Sequence, residues 1–191
     1  MNTPKYLLVF VLALVLLPSL IVARKKRPVY GVVTIRFCKN NVQAVLPTYV
    51  KWLNKAGADV VPIDSTLSAE EQRKIFERIN GVILPGGSYT GPGYKRTMKR
   101  FVKWVNNSTK SGNPFPIVGI CYGFQRLANL FANKNVIQRF RARNSKIPMN
   151  FTHKAGDFRI TKNMKNSLVK ALEHSNTTYH NHYYGVSPRA F

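Results

Sequence analysis

The sequence predicts an α/β fold, a doubly wound and mostly parallel sheet with helices on both faces. Three observations carry this. Short β-branched runs alternate with stretches of helical period, the pattern of βαβ units. The glycine-rich and reactive residues follow the ends of strands, as expected where function gathers at the carboxyl edge of such a sheet. A length of 191 residues, 45% of them hydrophobic, with 12 Gly and 11 Pro, suits one domain with a real core and does not match a disordered chain.

Residues 29–35 are a β-branched run and read as a buried strand. Residues 41–55 follow a helical period in which Val42, Val45, Leu46, Tyr49, Trp52 and Leu53 share a face, and Gly57 ends it. Residues 58–63 read as a second strand. Ser68-Ala69-Glu70-Glu71 has the pattern of a capping box and opens the next helix, which Asn80 and Gly81 stop. Residues 82–84 form a third strand that runs into Pro85-Gly86-Gly87-Ser88. Lys95, Arg96, Lys99, Arg100 and Lys103 then recur at helical spacing between Met98, Phe101, Val102 and Trp104, the pattern of a solvated helix face. Residues 116–120 read as a fourth buried strand. Residues 124–132 follow as a helix with Phe124, Leu127 and Phe131 on one face. The four strands are expected to be parallel neighbours.

The chemistry concentrates where the fourth strand meets its helix. Gly119-Ile120-Cys121-Tyr122-Gly123 is G-x-C-x-G, the cysteine form of a nucleophile elbow. A sharp strand-to-helix turn lifts one side chain out at a helix N-terminus, where free N–H groups and the positive end of the dipole favour a thiolate and an oxyanion. The plainer alternative is a buried cysteine at a sheet edge. Gly86 and Gly87 allow backbone N–H groups to approach a ligand oxygen closely, so their loop reads either as a second oxyanion donor or as a simple strand-to-helix turn.

Charge and the N-terminus bound the setting. A formal net charge of +23 implies attraction to polyanions such as nucleic acid, anionic glycans, acidic lipid or an acidic substrate, and says nothing about fold. Lys5, the apolar run of residues 6–22, Ala23 and the basic residues 24–27 read as a secretory signal peptide over residues 1–23, with an uncleaved anchor as the alternative. The remainder, residues 27–191, reads as one domain. N-x-S/T triplets at Asn106, Asn107, Asn150 and Asn176 fit a lumenal route.

Several stretches in order make a family resemblance. They are Tyr49-Val-Lys-Trp-Leu53, Ala56-Gly-Ala58, Val60-Val-Pro-Ile63, Ile79 to Ser88 (I-N-G-V-I-L-P-G-G-S), Pro116 to Phe124 (P-I-V-G-I-C-Y-G-F), Pro148-Met-Asn-Phe151 and Asn181 to Pro188 (N-H-Y-Y-G-V-S-P). In this set the chain resembles the gamma-glutamyl hydrolases of the class I glutamine amidotransferase-like superfamily. The resemblance implies a flavodoxin-like α/β fold and acyl transfer through a cysteine, removing gamma-linked glutamates from folate polyglutamates. It implies Cys121 as nucleophile, Gly86, Gly87, Ser88 and the Tyr122 amide in the oxyanion and substrate region, and His182 in the substrate site. It implies a secreted or lysosomal-vacuolar lumenal protein acting on a small anionic gamma-glutamyl substrate, with no cofactor. Two departures stand out. The family's more C-terminal histidine, followed by Pro and Glu, which activates the cysteine, is not among these 191 residues, so the expected fold lacks that C-terminal segment. Gln125 stands where the family usually has Glu. His182 or His180 could partly substitute for that base, since a nucleophile and its base need only be spatial neighbours. The other functional class is a non-catalytic, basic derivative of the same fold that binds an anionic ligand or partner.

The remaining candidates are few. His180-Asn181-His182 places two rings on one face of a strand, but without further ligands no metal is expected. His153 and His174 have no ligand spacing. Cys38 is the only other cysteine and is expected to be unpaired. Arg139, Arg141, Arg143 and Lys146 form a second basic cluster, suited to polyanion binding or to steering an acidic substrate. No zinc-finger, helix-turn-helix or RNP pattern occurs. An oligomer is compatible with the sequence.

Overall fold

The computed structural model describes residues 26–36, 42–87, 90–91, 93–151, 157 and 161–191. The expected leader over residues 1–23, Cys38, Ser88 and His153 lie outside the described residues. Among the described residues no helix is long and apolar enough to cross a membrane.

In chain order the elements are β1 (Val29–Val33), β2 (Ile35–Arg36), β3 (Gln43–Ala44), α1 (Pro47–Lys55), β4 (Asp59–Ile63), α2 (Ala69–Phe76) and β5 (Gly81–Leu84). After these come α3 (Tyr94–Lys110), β6 (Ile117–Gly119), α4 (Tyr122–Ala132), β7 (Ile137–Ile147), α5 (Asn166–His174) and β8 (Thr178–Val186). Four strands form one parallel sheet in the order β4-β1-β5-β6. Successive residues of a strand point to opposite faces, and the core divides accordingly. Val33, Ile63, Val82 and Leu84 pack with Phe76 of α2 and with Tyr94, Met98 and Phe101 of α3. Val32 and Ile83 pack on the other side with Leu53 of α1, Ala58 and the half-buried Tyr49. Helices on both faces of a parallel sheet make this a flavodoxin-like α/β fold, as the sequence predicts. Complete burial of Phe101, Ile63 and Leu84 contributes about 1.5–3 kcal/mol each from transfer out of water.

The capping box at α2 forms as expected. The Glu71 amide donates to Ser68 Oγ at 3.2 Å, and the Ser68 amide donates to Glu71 Oε2 at 2.9 Å. The Ser68 side chain and then its backbone hold the Glu71 carboxyl below its ordinary value. A depressed carboxyl stabilises the fold above its unfolded pKa, and that stabilisation is lost as pH falls through the folded pKa. Ser68→Ala is expected to cost about 1 kcal/mol in urea denaturation at neutral pH, with a smaller cost once Glu71 is protonated.

The structure corrects four expectations. The helix expected over residues 41–55 starts only at Pro47, because proline lacks an N–H and fits the first turn but not the interior. Gln43–Ala44 instead pairs antiparallel with Ile35–Arg36. The strand expected over residues 29–35 breaks at Thr34, whose amide still bonds Ile63 O at 2.9 Å and whose hydroxyl turns to Gln43 Oε1 at 3.0 Å. The stretch 116–120, read as a buried strand, contributes β6, which among the described residues lies at the edge of the sheet, and Val118 is 38% exposed. Finally, α4 buries Gly123 and Ala128 and turns Tyr122, Leu127 and Leu130 towards the core, so Phe124 and Phe131 are 49% and 52% exposed.

The strand read at His180-Asn181-His182 is part of a larger element whose other half, β7, had no counterpart in the sequence reading. β7 and β8 form a long antiparallel ribbon, from Ile137 opposite Val186 to Ile147 opposite Thr178. Its register shifts twice, between Arg139 and Ala142 and again between Ala142 and Ser145. Both extra residues lie on β7, and Asn144 near the second shift has φ 48°. The ribbon meets α4 where Phe124, Ala128, Val186, Pro188 and Phe191 line an apolar cleft of about 250 Å³.

Candidate active site

Cys121 sits between the end of β6 and the first residue of α4, in the N-cap position. Its backbone is at φ 54°, ψ −115°, a region that non-glycine residues rarely occupy and that costs about 1–3 kcal/mol unless the surroundings enforce it. Those surroundings are visible. Ile120 N bonds Leu84 O at 3.0 Å, which carries the parallel register up to the turn, and Gly123 N bonds Ile120 O at 3.0 Å to close it. A side chain on Gly123 would collide with the Leu84 carbonyl, and one on Gly119 would stand 2.7 Å from the Phe124 backbone. Both glycines of G-x-C-x-G are therefore required by close approach of the chain to itself. The result is a free, exposed Cys121 at a helix N-terminus.

The second loop arrives at the same place. A Cβ built on Gly86 would lie 2.5 Å from Cys121 Cβ and 3.2 Å from its Sγ, so the Gly86 backbone lies directly against the cysteine. Gly87 follows at φ 148°. Tyr122 is the first residue of α4, where a backbone N–H has no partner within the helix. Gly86, Gly87 and Tyr122 are thus brought to Cys121 from two loops at the carboxyl ends of adjacent strands β5 and β6.

The sequence reading missed a tyrosine cluster around this point. The Tyr94 hydroxyl donates to Pro85 O at 2.6 Å and fixes the loop before Gly86. Burial, and then the charges of Tyr49, Tyr122 and Cys121, push its phenol far above the ordinary value. Tyr49 reaches in from α1. Burial raises its phenol, the Gly86 amide hydrogen-bonds the phenol oxygen and works the other way, and the Cys121 charge raises it again. Both phenols therefore stay protonated and neutral beside the thiol. The available signal was chemical: a tyrosine on a buried helix face must find a partner for its hydroxyl.

The histidines form a separate pair. His180 and His182 point to the same face of β8, as their spacing predicts, with His180 Nδ1 3.3 Å from His182 Nε2. Among the described residues neither ring hydrogen-bonds Cys121. Gln125 instead joins the two regions, donating from Nε2 to Tyr184 O at 2.8 Å and so tying α4 to β8. His174 ends α5 at the surface. Among the described residues no three His, Cys, Asp or Glu side chains gather as a metal site.

The profile of the family "Glutamine amidotransferase class-I" matches residues 38–191, which include the elbow, the Gly86–Gly87 loop and the histidine pair. The chain belongs to the class-I glutamine amidotransferase family. Within that family it is similar to the gamma-glutamyl hydrolase of Mus musculus, with 35% identity over 172 residues, covering 87% of this chain and 54% of the relative. It is 34% identical to gamma-glutamyl hydrolase B of Dictyostelium discoideum over 173 residues, covering 86% of this chain and 50% of the relative. It is 29% identical to the Homo sapiens gamma-glutamyl hydrolase over 174 residues, or 87% and 54%. The chain spans about half the length of the curated relatives it matches. The class-I family placement agrees with the parallel sheet and with the strand-to-helix turn that carries Cys121.

Proposed function

We propose that the chain is a cysteine hydrolase of gamma-glutamyl bonds, acting on folate poly-gamma-glutamates or similar gamma-glutamyl peptides. One observation carries the reading: a free, exposed cysteine is held in a strained elbow directly against the Gly86 backbone, in a chain similar to gamma-glutamyl hydrolases. In this mechanism the Cys121 thiol gives its proton to a histidine as its sulfur adds to the gamma-carbonyl carbon and the C–S bond forms. The carbonyl oxygen becomes an oxyanion, held by amides of Gly86, Gly87 and Tyr122. The C–N bond then breaks and the amine leaves with a proton delivered by a histidine. Water attacks the thioester, releases the glutamyl acid and returns the thiol. His182 is the proposed proton carrier or, failing that, a substrate-positioning group. A lumenal site of action, secreted or lysosomal-vacuolar, belongs to the same proposal.

The test is glutamate release from a gamma-glutamyl peptide, with and without prior alkylation of thiols. Release that alkylation stops supports the reading, and release that alkylation leaves intact overturns the cysteine mechanism. A folded chain that releases nothing favours the non-catalytic derivative that binds an anionic ligand. His182→Ala is expected to lower kcat about 10²-fold if the ring carries the proton. A rise in KM with little change in kcat instead assigns it to substrate positioning.

A further inference from the structure

We propose that the outer face of the β7–β8 ribbon is a binding surface for a sulfated glycan. Residues opposite one another in an antiparallel pair share a face, and β8 is regular, so the faces can be read from the register. Val186 turns towards α4, where it lines the apolar cleft. The other face carries Tyr179, Asn181, Tyr183 and Gly185 on β8, with Lys146 opposite Tyr179 and Gln138 opposite Gly185. Phe140 lies on this face too, since a Cβ on Gly185 would stand 3.0 Å from its ring. So does Arg143, whose guanidinium carbon is 5.7 Å from the Tyr183 ring centroid. The rings are open to solvent, with Phe140 42%, Tyr179 56% and Tyr183 47% exposed, and Arg143 and Lys146 are exposed as well.

Among the described residues Arg143 and Lys146 form no ion pair. Beyond Glu77 the sequence holds only two acids, Asp157 and Glu173. Among the described residues the ion pairs are Arg27–Asp59, Arg73–Glu77 and Lys74–Glu70, all distant in sequence from the ribbon. A partner with its own anions can therefore pair with Arg143 and Lys146 without displacing an ion pair of the described residues. The helix α3 is also basic, through Lys95, Arg96, Lys99 and Lys103, but its large aromatic side chains turn inward: Phe101 is buried and Trp104 half-buried. Of these two basic stretches, it is the ribbon face that carries its cations beside open rings.

That combination selects among polyanions. A bilayer takes up apolar side chains and rejects unpaired amides, yet Gln138 and Asn181 share this face with the rings. Tyr179 and Tyr183 are four residues apart on one strand, about 13 Å by strand rise, which does not match neighbouring bases stacked on adjacent rings. A sulfated glycan uses every group present. The carbon-bound hydrogens of its sugar faces lie on separate rings, its hydroxyls meet the two amides, and its sulfates meet Arg143 and Lys146 through charge-assisted hydrogen bonds.

The experiment measures binding of the full chain to heparin, to a 20-nucleotide oligo-dT and to phosphatidylserine vesicles at several salt concentrations. Heparin is expected to bind most tightly, with affinity falling as salt rises. The charge pair Arg143→Gln with Lys146→Gln should weaken heparin binding at least about tenfold. The pair Lys99→Gln with Lys103→Gln on α3 removes the same charge and should change it less than about twofold. The uncharged pair Tyr179→Ser with Tyr183→Ser should weaken heparin binding several-fold at unchanged net charge. Equal losses from the two charge pairs, or no loss from the tyrosine pair, would reduce the binding to net charge alone and overturn the proposal. Tighter binding of oligo-dT or of vesicles, with the same dependence on ribbon residues, would overturn the assignment to a glycan.

Discussion

Replacing Cys121 with alanine is expected to leave no measurable release of glutamate from a gamma-glutamyl peptide, whereas Cys38→Ala keeps most of it. The first loss follows from the proposed covalent step: without sulfur there is no thioester, and water alone must attack an amide. The same position makes a second, opposite expectation about stability. Cys121 stands at φ 54°, ψ −115°, and its strain is sustained by the surrounding contacts. Glycine occupies that region freely, although it gains more freedom in the unfolded chain. Cys121→Gly should therefore be as inactive as the alanine variant and more stable than the parent by about 1 kcal/mol in urea denaturation. A glycine variant less stable than the parent would show that the strain relieved is smaller than the freedom glycine gains in the unfolded chain.

Gly86→Ala is the other large effect. The added Cβ would stand 2.5 Å from Cys121 Cβ and 2.9 Å from Ile120 O. Neither neighbour is the far end of a flexible side chain, so the Gly86 loop must move away from the cysteine. If that loop donates to the oxyanion, kcat is expected to fall about 10²–10³-fold, the usual consequence of losing one such donor. Stability should fall too, by about 1–3 kcal/mol, as for other overpacked sites. Steady-state kinetics on the folded variant decide the point. An unchanged kcat would place the oxyanion elsewhere.

The parallel sheet was legible because its evidence is local. β-branched runs, the Ser68–Glu71 capping box and the glycines around Cys121 each state a backbone preference within a few residues. The elbow was legible for the same reason, and the structure adds what spacing cannot show, the contact of Gly86 with Cys121. What the sequence obscured depends on distant neighbours. A run such as Pro116-Ile-Val-Gly-Ile120 has the same composition in a central strand and an edge strand, and only the sheet order shows that β6 is the edge. Phe124 and Phe131 advertise a buried face that α4 turns outward. In the ribbon, two bulges break the alternation on β7, so its residues lose the period-2 pattern that marks a strand. Tyr49 and Tyr94 look like core residues by period, and are core residues by burial. Their hydroxyls acquire a bearing on the site only through Gly86 and Pro85.

The position of β6 at the edge of the described sheet ties the elbow geometry to a small part of the molecule. Among the described residues β6 is bonded to β5 alone, through the register Val82–Ile117 to Leu84–Gly119. Its detachment breaks one short ladder and the packing of Ile117 on the core, and leaves β4, β1 and β5 joined to one another. It also lets Cys121 relax to an ordinary backbone conformation, so strain in the elbow favours the detached form. Partial opening of this kind lies at the low end of the free-energy range within a fold. If Cys121 is the nucleophile proposed above, warming is expected to abolish glutamate release at a lower temperature than it abolishes the circular dichroism of the sheet, and coincident losses would show that β6 opens only with the core.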